Sequence, residues 1–263
     1  MTQIETYKIR GVAVSHYIPE KNEGKAPIVM VHGGQHGAWG WEKWATFFSE
    51  AGYEVHALNW FNHGDSDKLP ESEFAHRSIT AVAREEITYV AEQIGRPFIL
   101  IGHSMGGLAS AVYTVSNATN VTRLALITPV MPAAATPEII PLPVDPEHPF
   151  PVLPAPQAKQ FFFTKTDEAT AADYIKLLVP ESAQAVTEAT RWTVEFDPAA
   201  ITTPTLVMGT EFDQLIPKAG LRRYAQLLNA RFEEIPGIGH SDILLKAPEW
   251  QVAASHVKEW LES

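Results

Sequence analysis

Ile99–Ser110 reads ILIGHSMGGLAS. An aliphatic run ends in Gly102-His103-Ser104-Met105-Gly106-Gly107, and small and apolar residues follow. The run suits a buried strand, Pro97–Ile101, and the residues from Ser104 to Ser116 suit a helix. A serine at so sharp a turn sits in a strained backbone conformation. Bulky neighbours two positions to either side would collide there, and Gly102 and Gly106 remove the collision. The helix start beneath offers free N–H groups and the positive end of a dipole. Gly102-x-Ser104-x-Gly106 in this context reads as the mount for a nucleophile. A tight packing turn is the alternative.

Working outward, short β-type runs alternate with helical patterns. Pro27–His32 is a continuous apolar run ending in glycines, as expected of a strand buried on both faces. Trp41–Ala51 reads as a helix closed by Gly52, and Tyr53–Trp60 as a strand. Ser78 stands where it would cap a helix whose apolar positions run from Ile79 to Ile94, ended by Gly95 and Pro97. Val121–Thr128 is a strand. Ten of the twenty prolines then fall between Pro129 and Pro156, a density that excludes a regular helix or central strand. Helical patterns resume over Thr166–Val179 and Glu181–Trp192. After Pro204 the alternation returns: strand Thr205–Gly209, helix Pro217–Asn229, strand Arg231–Ile235, helix Pro248–Leu261. This predicts an α/β domain with a mainly parallel sheet, helices on both faces, and an insertion. The expected core covers residues 1–130 and 201–263, with 131–200 a cap over one edge.

In such sheets ligands bind outside the carboxyl ends of the strands. The other chemistry-bearing residues fall just after strand ends as well. A serine hydroxyl needs a base to act as a nucleophile at neutral pH. Among ten histidines, His240 in Pro236-Gly-Ile-Gly-His-Ser-Asp242 follows the last strand. Asp213 in Gly209-Thr-Glu-Phe-Asp-Gln-Leu-Ile-Pro217 follows the strand before it, and is favoured to orient the imidazole. Glu211 is the rival acid, and Asp242 reads as a local loop or capping residue. An oxyanion needs two N–H donors. Met105 supplies one candidate. Gly34, with Gln35 as competitor, supplies the other from the loop His32-Gly-Gly-Gln-His-Gly37. Gln35, His103 and Trp39 are the candidates for lining a substrate site. Phe150, Phe161, Phe162 and Phe163 fit either an apolar substrate site or a local core. Trp41, Trp44 and Trp60 read as core.

Composition narrows the class. Hydrophobic residues make up 45% and charged residues 19%, which is ordinary for a globular chain. A formal charge of −11 argues against a nucleic-acid surface. With no cysteines, disulfides, thiolate metal ligands and thiol nucleophiles are excluded. No zinc-ligand spacing or phosphate loop appears, so neither a metal nor a nucleotide cofactor is expected. The N-terminus lacks a basic, then apolar, signal pattern, and no apolar stretch reaches membrane-spanning length. A cytoplasmic protein acting on a small molecule, without nucleic acid or a membrane span, is the expectation. Oligomeric state has no signature in the chain.

The order Ser104, Asp213, His240, together with VHGGQHGAWGWEKWATFFSEAGYEVHALNW, GHSMGG and GTEFDQLIP, resembles the α/β-hydrolase superfamily. It resembles the plant methylesterase and hydroxynitrile lyase branch in particular, through the pattern HG-x-x-HG-x-W at His32–Trp39. The resemblance implies an α/β-hydrolase fold, no cofactor, and cleavage of a small ester, with lactones a variant. It implies a triad of Ser104, Asp213 and His240, and an oxyanion pair of Gly34 and Met105. Lyases of that branch carry a threonine after the first histidine of the pattern and a lysine after the catalytic histidine. Here those positions hold Gly33 and Ser241, which favours a hydrolase. Same-fold lyases, C–C hydrolases, cofactor-free oxygenases and slow-triad receptors are the alternatives. Asn62-His63-Gly64-Asp65-Ser66 replaces the superfamily's frequent Asp before Gly-His-Gly, and is read as structural.

Overall fold

The computed structural model describes residues 2–135 and 139–263. Eight strands form one sheet: β1 (Gln3–Ile9), β2 (Val12–Ile18), β3 (Ile28–Val31), β4 (Val55–Leu58), β5 (Phe98–His103), β6 (Val121–Ile127), β7 (Thr205–Thr210) and β8 (Arg231–Ile235). Their spatial order is β1-β2-β4-β3-β5-β6-β7-β8. The pairs β1–β2 and β2–β4 are antiparallel, and every pair from β4 to β8 is parallel.

The hairpin β1–β2 extends the sheet beyond the strands read from sequence. Its two-residue turn is Arg10-Gly11, both at positive φ (46° and 86°), the backbone hand that matches strand twist. β3 and β5 are buried along their whole length because helices cover both faces. Side chains alternate between those faces. Leu100, Leu124 and Leu126 meet Ile79, Ile87, Leu108 and Tyr224 on one face. Ile99, Ile101 and Ile127 meet Trp44, Phe48, Val257 and Trp260 on the other. Trp41 and Trp44 are fully buried, so they are core as read.

Ser78 accepts a hydrogen bond from Thr80 N–H and opens the helix predicted after it. That helix is not uniform. A wider π-type turn over Ala83–Ile87 separates the α-helical pieces Ile79–Val82 and Thr88–Ile94. It carries buried Glu86, which pairs with Arg77 at 2.6 Å and accepts the Phe61 N–H.

Between β6 and β7 lie the helices Ala155–Phe161, Glu168–Ile175 and Ala183–Arg191. The first begins at the end of the proline-rich stretch, ahead of the Thr166 start read from sequence. Pro154 caps it and Pro156 falls in its first turn, where a missing N–H costs nothing. Among the described residues no helix is long and apolar enough to cross a membrane.

Candidate active site

Ser104 stands between β5 and the helix Met105–Ser116 with φ 53° and ψ −123°, a left-handed conformation that a non-glycine residue seldom adopts. The neighbouring glycines make the turn possible. A Cβ on Gly102 would strike Gly106 O and, at 2.5 Å, Ser110 Oγ. A Cβ on Gly106 would strike the carbonyls of Val31 and His32. Ser104 N–H donates to Ile127 O (3.0 Å) and its carbonyl accepts from Val130 N–H (2.9 Å), fixing the turn against β6.

The loop after β3 has a specific division of labour. His32 Nδ1–H donates to Gly33 O (2.8 Å), while its Nε2 accepts from Trp60 N–H (3.1 Å). His36 Nδ1–H donates to Gly34 O (2.8 Å). Gln35 N–H donates to Glu181 Oε2 (2.9 Å). The peptide between Gly34 and Gln35 is therefore held at both ends. The peptide before it is held only by its carbonyl, and Gly34 N–H has no partner among the described residues. In a trans peptide that N–H points away from the bonded carbonyl. Gly34 packs against Met105, whose Sδ and Cε would lie 2.7 Å from a Cβ placed on it.

His240 Nδ1–H donates to Asp213 Oδ2 at 2.9 Å, with both side chains almost fully buried. Asp213 Oδ1 accepts the N–H groups of Leu215 (2.8 Å) and Ile216 (2.9 Å), which fixes the carboxylate. Glu211, the rival acid, instead accepts from Gly237 N–H (2.8 Å). The outer nitrogen of His240, Nε2, is buried and unpartnered. No hydrogen bond joins it to Ser104 Oγ. Such bonds are often long in ligand-free sites and tighten on binding. The His240 ring lies 4.8 Å from that of His103 and 6.4 Å from that of Phe162, centroid to centroid.

Asp242 does more than close a local loop. It accepts from Gly239 N–H, Lys165 N–H and the Thr166 N–H and hydroxyl. It thereby ties the His240 loop to the segment between β6 and β7.

Gly34, Gln35, Ser104 and Met105 line one cleft. Its remaining walls are apolar apart from Thr190, with Phe150, Phe161, Phe162, Val186 and Trp192 coming from the segment between β6 and β7. Phe163 is buried elsewhere, in the core. Two residues expected at a substrate site lie outside this lining. Trp39, in the short helical turn Ala38–Trp41, stacks between His36 (5.3 Å) and Tyr174 (6.0 Å). His103 is fully buried under the elbow, donating through Nε2 to His240 O at 3.3 Å. Gln35 lines the cleft, but its side-chain amide is bonded to Pro151 O and Leu153 N–H.

Glu181 went unread in the sequence. Pro180-Glu181-Ser182 looks like an ordinary helix start, and nothing local marks the glutamate as buried. Its Oε2 accepts from Gln35 N–H and from His63 Nε2–H (3.1 Å), and its Oε1 from Ser182 N–H. His63 also donates through Nδ1–H to Phe61 O. With acceptors on both nitrogens, His63 is an imidazolium. Burial pulls His63 down, but the Glu181 carboxylate overrides it and raises it above the ordinary histidine value. Burial pushes Glu181 up, yet His63 and the two N–H groups hold it below the usual carboxylate range. The loop read as structural thus supplies one half of a fully buried ion pair beneath the Gly34 loop.

Three other histidines are buried and neutral. Burial lowers His36 to about 4, and lowers His32 and His103 well below the ordinary value. The unfolded chain then binds more protons than the folded one below about pH 6.5, so stability falls as pH drops through that range. His36 alone accounts for on the order of 3 kcal/mol by pH 4. Unfolding midpoints measured between pH 7 and 4 should fall steeply in the wild type. The slope should be shallower in His36→Asn, which keeps a donor at the Nδ1 position. Equal slopes would remove His36 from the explanation.

A family model described as "Alpha/beta hydrolase family" matches residues 28–254. The chain belongs to the alpha/beta hydrolase family. Among curated relatives of this hydrolase is norfluorocurarine synthase 1 of a Strychnos species. It is 30% identical over 111 residues, 42% of this chain and 41% of that protein. Methyl jasmonate esterase 1 of Vitis vinifera is 34% identical over 86 residues, 32% of each chain. The matched parts thus span well under half the length of these relatives. Among solved structures, an esterase from Exiguobacterium antarcticum is similar with a TM-score of 0.74 and 18% identity, covering both chains completely. That likeness shows the shared fold.

Proposed function

We propose that this hydrolase cleaves an uncharged carboxylic ester carrying an apolar acyl or alkyl group, through a covalent acyl-serine. The observation that carries the reading is an elbow serine and an unbonded Gly34 N–H that line one apolar cleft, together with an Asp213-held imidazole whose Nε2 has no partner among the described residues. Ser104 Oγ attacks the carbonyl carbon as its proton passes to His240 Nε2. The Gly34 and Met105 N–H groups receive the negative oxygen. Asp213 stabilises the imidazolium. His240 then gives its proton to the leaving alcohol, and afterwards deprotonates the water that releases the acid and restores Ser104. Residues 131–200 act as a cap that sets specificity.

Two features support hydrolysis over cyanohydrin cleavage. A side chain at Gly33 would meet Ser104 Cβ at 2.7 Å and His103 Nδ1 at 2.9 Å, leaving no room for a threonine. Ser241 is fully buried and contributes no cation. The absence of any charged residue among the described lining residues favours a neutral substrate, since a carboxylate would be desolvated there without a partner.

A panel of p-nitrophenyl esters, lactones and thioesters tests this, with acetone cyanohydrin as control. Neutral butyrate or hexanoate esters should exceed the anionic hemisuccinate by about tenfold or more in kcat/KM. No cyanide should be released. Preference for the anionic ester would overturn the neutral-substrate reading, and cyanide release would overturn the reaction type.

A further inference from the structure

The strand pairing at the other side of the sheet assembles a second group of chemistry-bearing residues. Glu54 immediately precedes β4 and His56 lies within it, two positions apart, so both side chains fall on one face. His16 of β2 is the register partner of His56 across the antiparallel pair. The two rings stack with centroids 4.3 Å apart and planes 12° apart. Both Nε2 atoms face the same oxygen: Glu54 Oε1 is 2.9 Å from His16 Nε2 and 3.3 Å from His56 Nε2. One ligand atom from each residue lies within 4.8 Å of the others.

We propose that His16, Glu54 and His56 form a binding site for a divalent transition cation of the zinc type. Ligand atoms about 3 Å apart match three ligands each about 2 Å from one ion. Two imidazoles and one carboxylate suit Zn²⁺, Ni²⁺ or Cu²⁺ better than the hard, oxygen-preferring cations. His56 is buried, and its Nε2 is without a hydrogen-bond partner. On the far side of that ring, Nδ1 lies 3.2 Å from Tyr7 OH, the outer-shell bond that fixes a ligating tautomer. His16 is partly open to solvent, so an ion has a path in and water can complete its coordination.

One cation competes: Arg96 Nη2 bonds the other carboxylate oxygen at 2.7 Å. It occupies Oε2, leaves Oε1 to the histidines, and is about half exposed. The sequence showed no sign of the group, because His16 stands far from Glu54-x-His56 until β2 and β4 pair. His56 aligns with Val29 of β3 and so with Leu100 of β5, which places the cluster two strands from the elbow. An ion here would link the antiparallel edge of the sheet to its parallel core.

Isothermal titration of chelator-treated protein with Zn²⁺ tests the site, with Co²⁺ as a spectroscopic probe. One equivalent should bind, Co²⁺ should give the visible bands of a four- or five-coordinate ion, and Zn²⁺ should raise the melting temperature. His16→Ala/His56→Ala should lose that equivalent and the thermal shift. Glu54→Gln keeps the local shape and should weaken binding about tenfold or more, as removal of a ligand must exceed an outer-shell loss. No one-to-one binding in the wild type overturns the proposal. So does a bound equivalent that persists unchanged in a folded Glu54→Gln protein.

Discussion

Replacing Ser104 with alanine should abolish ester turnover, lowering kcat about a millionfold, while leaving the fold intact. The size follows from what is removed. In the proposed mechanism no acyl-enzyme forms without Oγ, and His240 and Asp213 have no nucleophile to activate. The remaining N–H groups of Gly34 and Met105 would still polarise a bound carbonyl, which leaves a small residual rate. A millionfold loss corresponds to roughly 8 kcal/mol of transition-state stabilisation. Stability should barely change. Alanine keeps the Cβ that sits under Gly33 and imposes the same backbone conformation at φ 53°. The hydroxyl it loses makes no hydrogen bond among the described residues. Steady-state kinetics with p-nitrophenyl butyrate, beside mass spectrometry of quenched wild-type enzyme for an acyl adduct on Ser104, check both halves. Wild-type kcat in a folded Ser104→Ala protein would end the serine-nucleophile reading.

Glu181→Ala should have the second largest effect, and on two observables. Removing one member of a fully buried ion pair leaves the other uncompensated, which costs about 3–5 kcal/mol. Urea midpoints should fall accordingly. The same change releases Gln35 N–H, so the peptide next to the one that carries Gly34 N–H keeps only its bond to His36. Losing one oxyanion donor costs on the order of 10²–10³ in kcat. The fall should be in kcat more than in KM, because the apolar cleft that binds the ground state is retained. Glu181→Gln keeps an acceptor for Gln35 N–H but cannot hold His63 charged. It should therefore recover part of kcat while remaining less stable. Unchanged kcat in Glu181→Gln and Glu181→Ala would show that the loop keeps its geometry unaided.

The pair also has a defined pH window. The raised His63 value contributes stability fully below about pH 6.5, lost as pH climbs through the folded value. The lowered Glu181 value contributes fully above about pH 4.5, lost as pH falls through the folded value. The two overlap between about 4.5 and 6.5. In that range the neutral His32, His36 and His103 oppose them, since each must lose its proton to fold. The stability difference between wild type and Glu181→Gln should accordingly be largest there.

The sequence by itself determined the parts whose physics is local. Gly102 and Gly106 around Ser104 declare a strand-to-helix turn, because the steric limits involve residues only two positions away. Continuous apolar runs such as Ile28–Val31 declare strands covered on both faces. The chain order of Ser104, Asp213 and His240 follows from which loops end parallel strands. Tertiary structure alone decided choices between near-equals. Asp213 meets the His240 ring and Glu211 does not, because Leu215 and Ile216 N–H groups hold one carboxylate while Gly237 N–H draws off the other. Gln35 N–H is bonded and Gly34 N–H is not, because a carboxylate 146 residues along the chain from Gln35 folds back against the loop. Trp39 lies away from the cleft, and His16 meets Glu54 and His56, through pairings that no local pattern announces. A backbone clash is set by adjacent atoms and is written in adjacent residues. A hydrogen bond or an ion pair is set by whichever group arrives from elsewhere, and only the folded chain brings it.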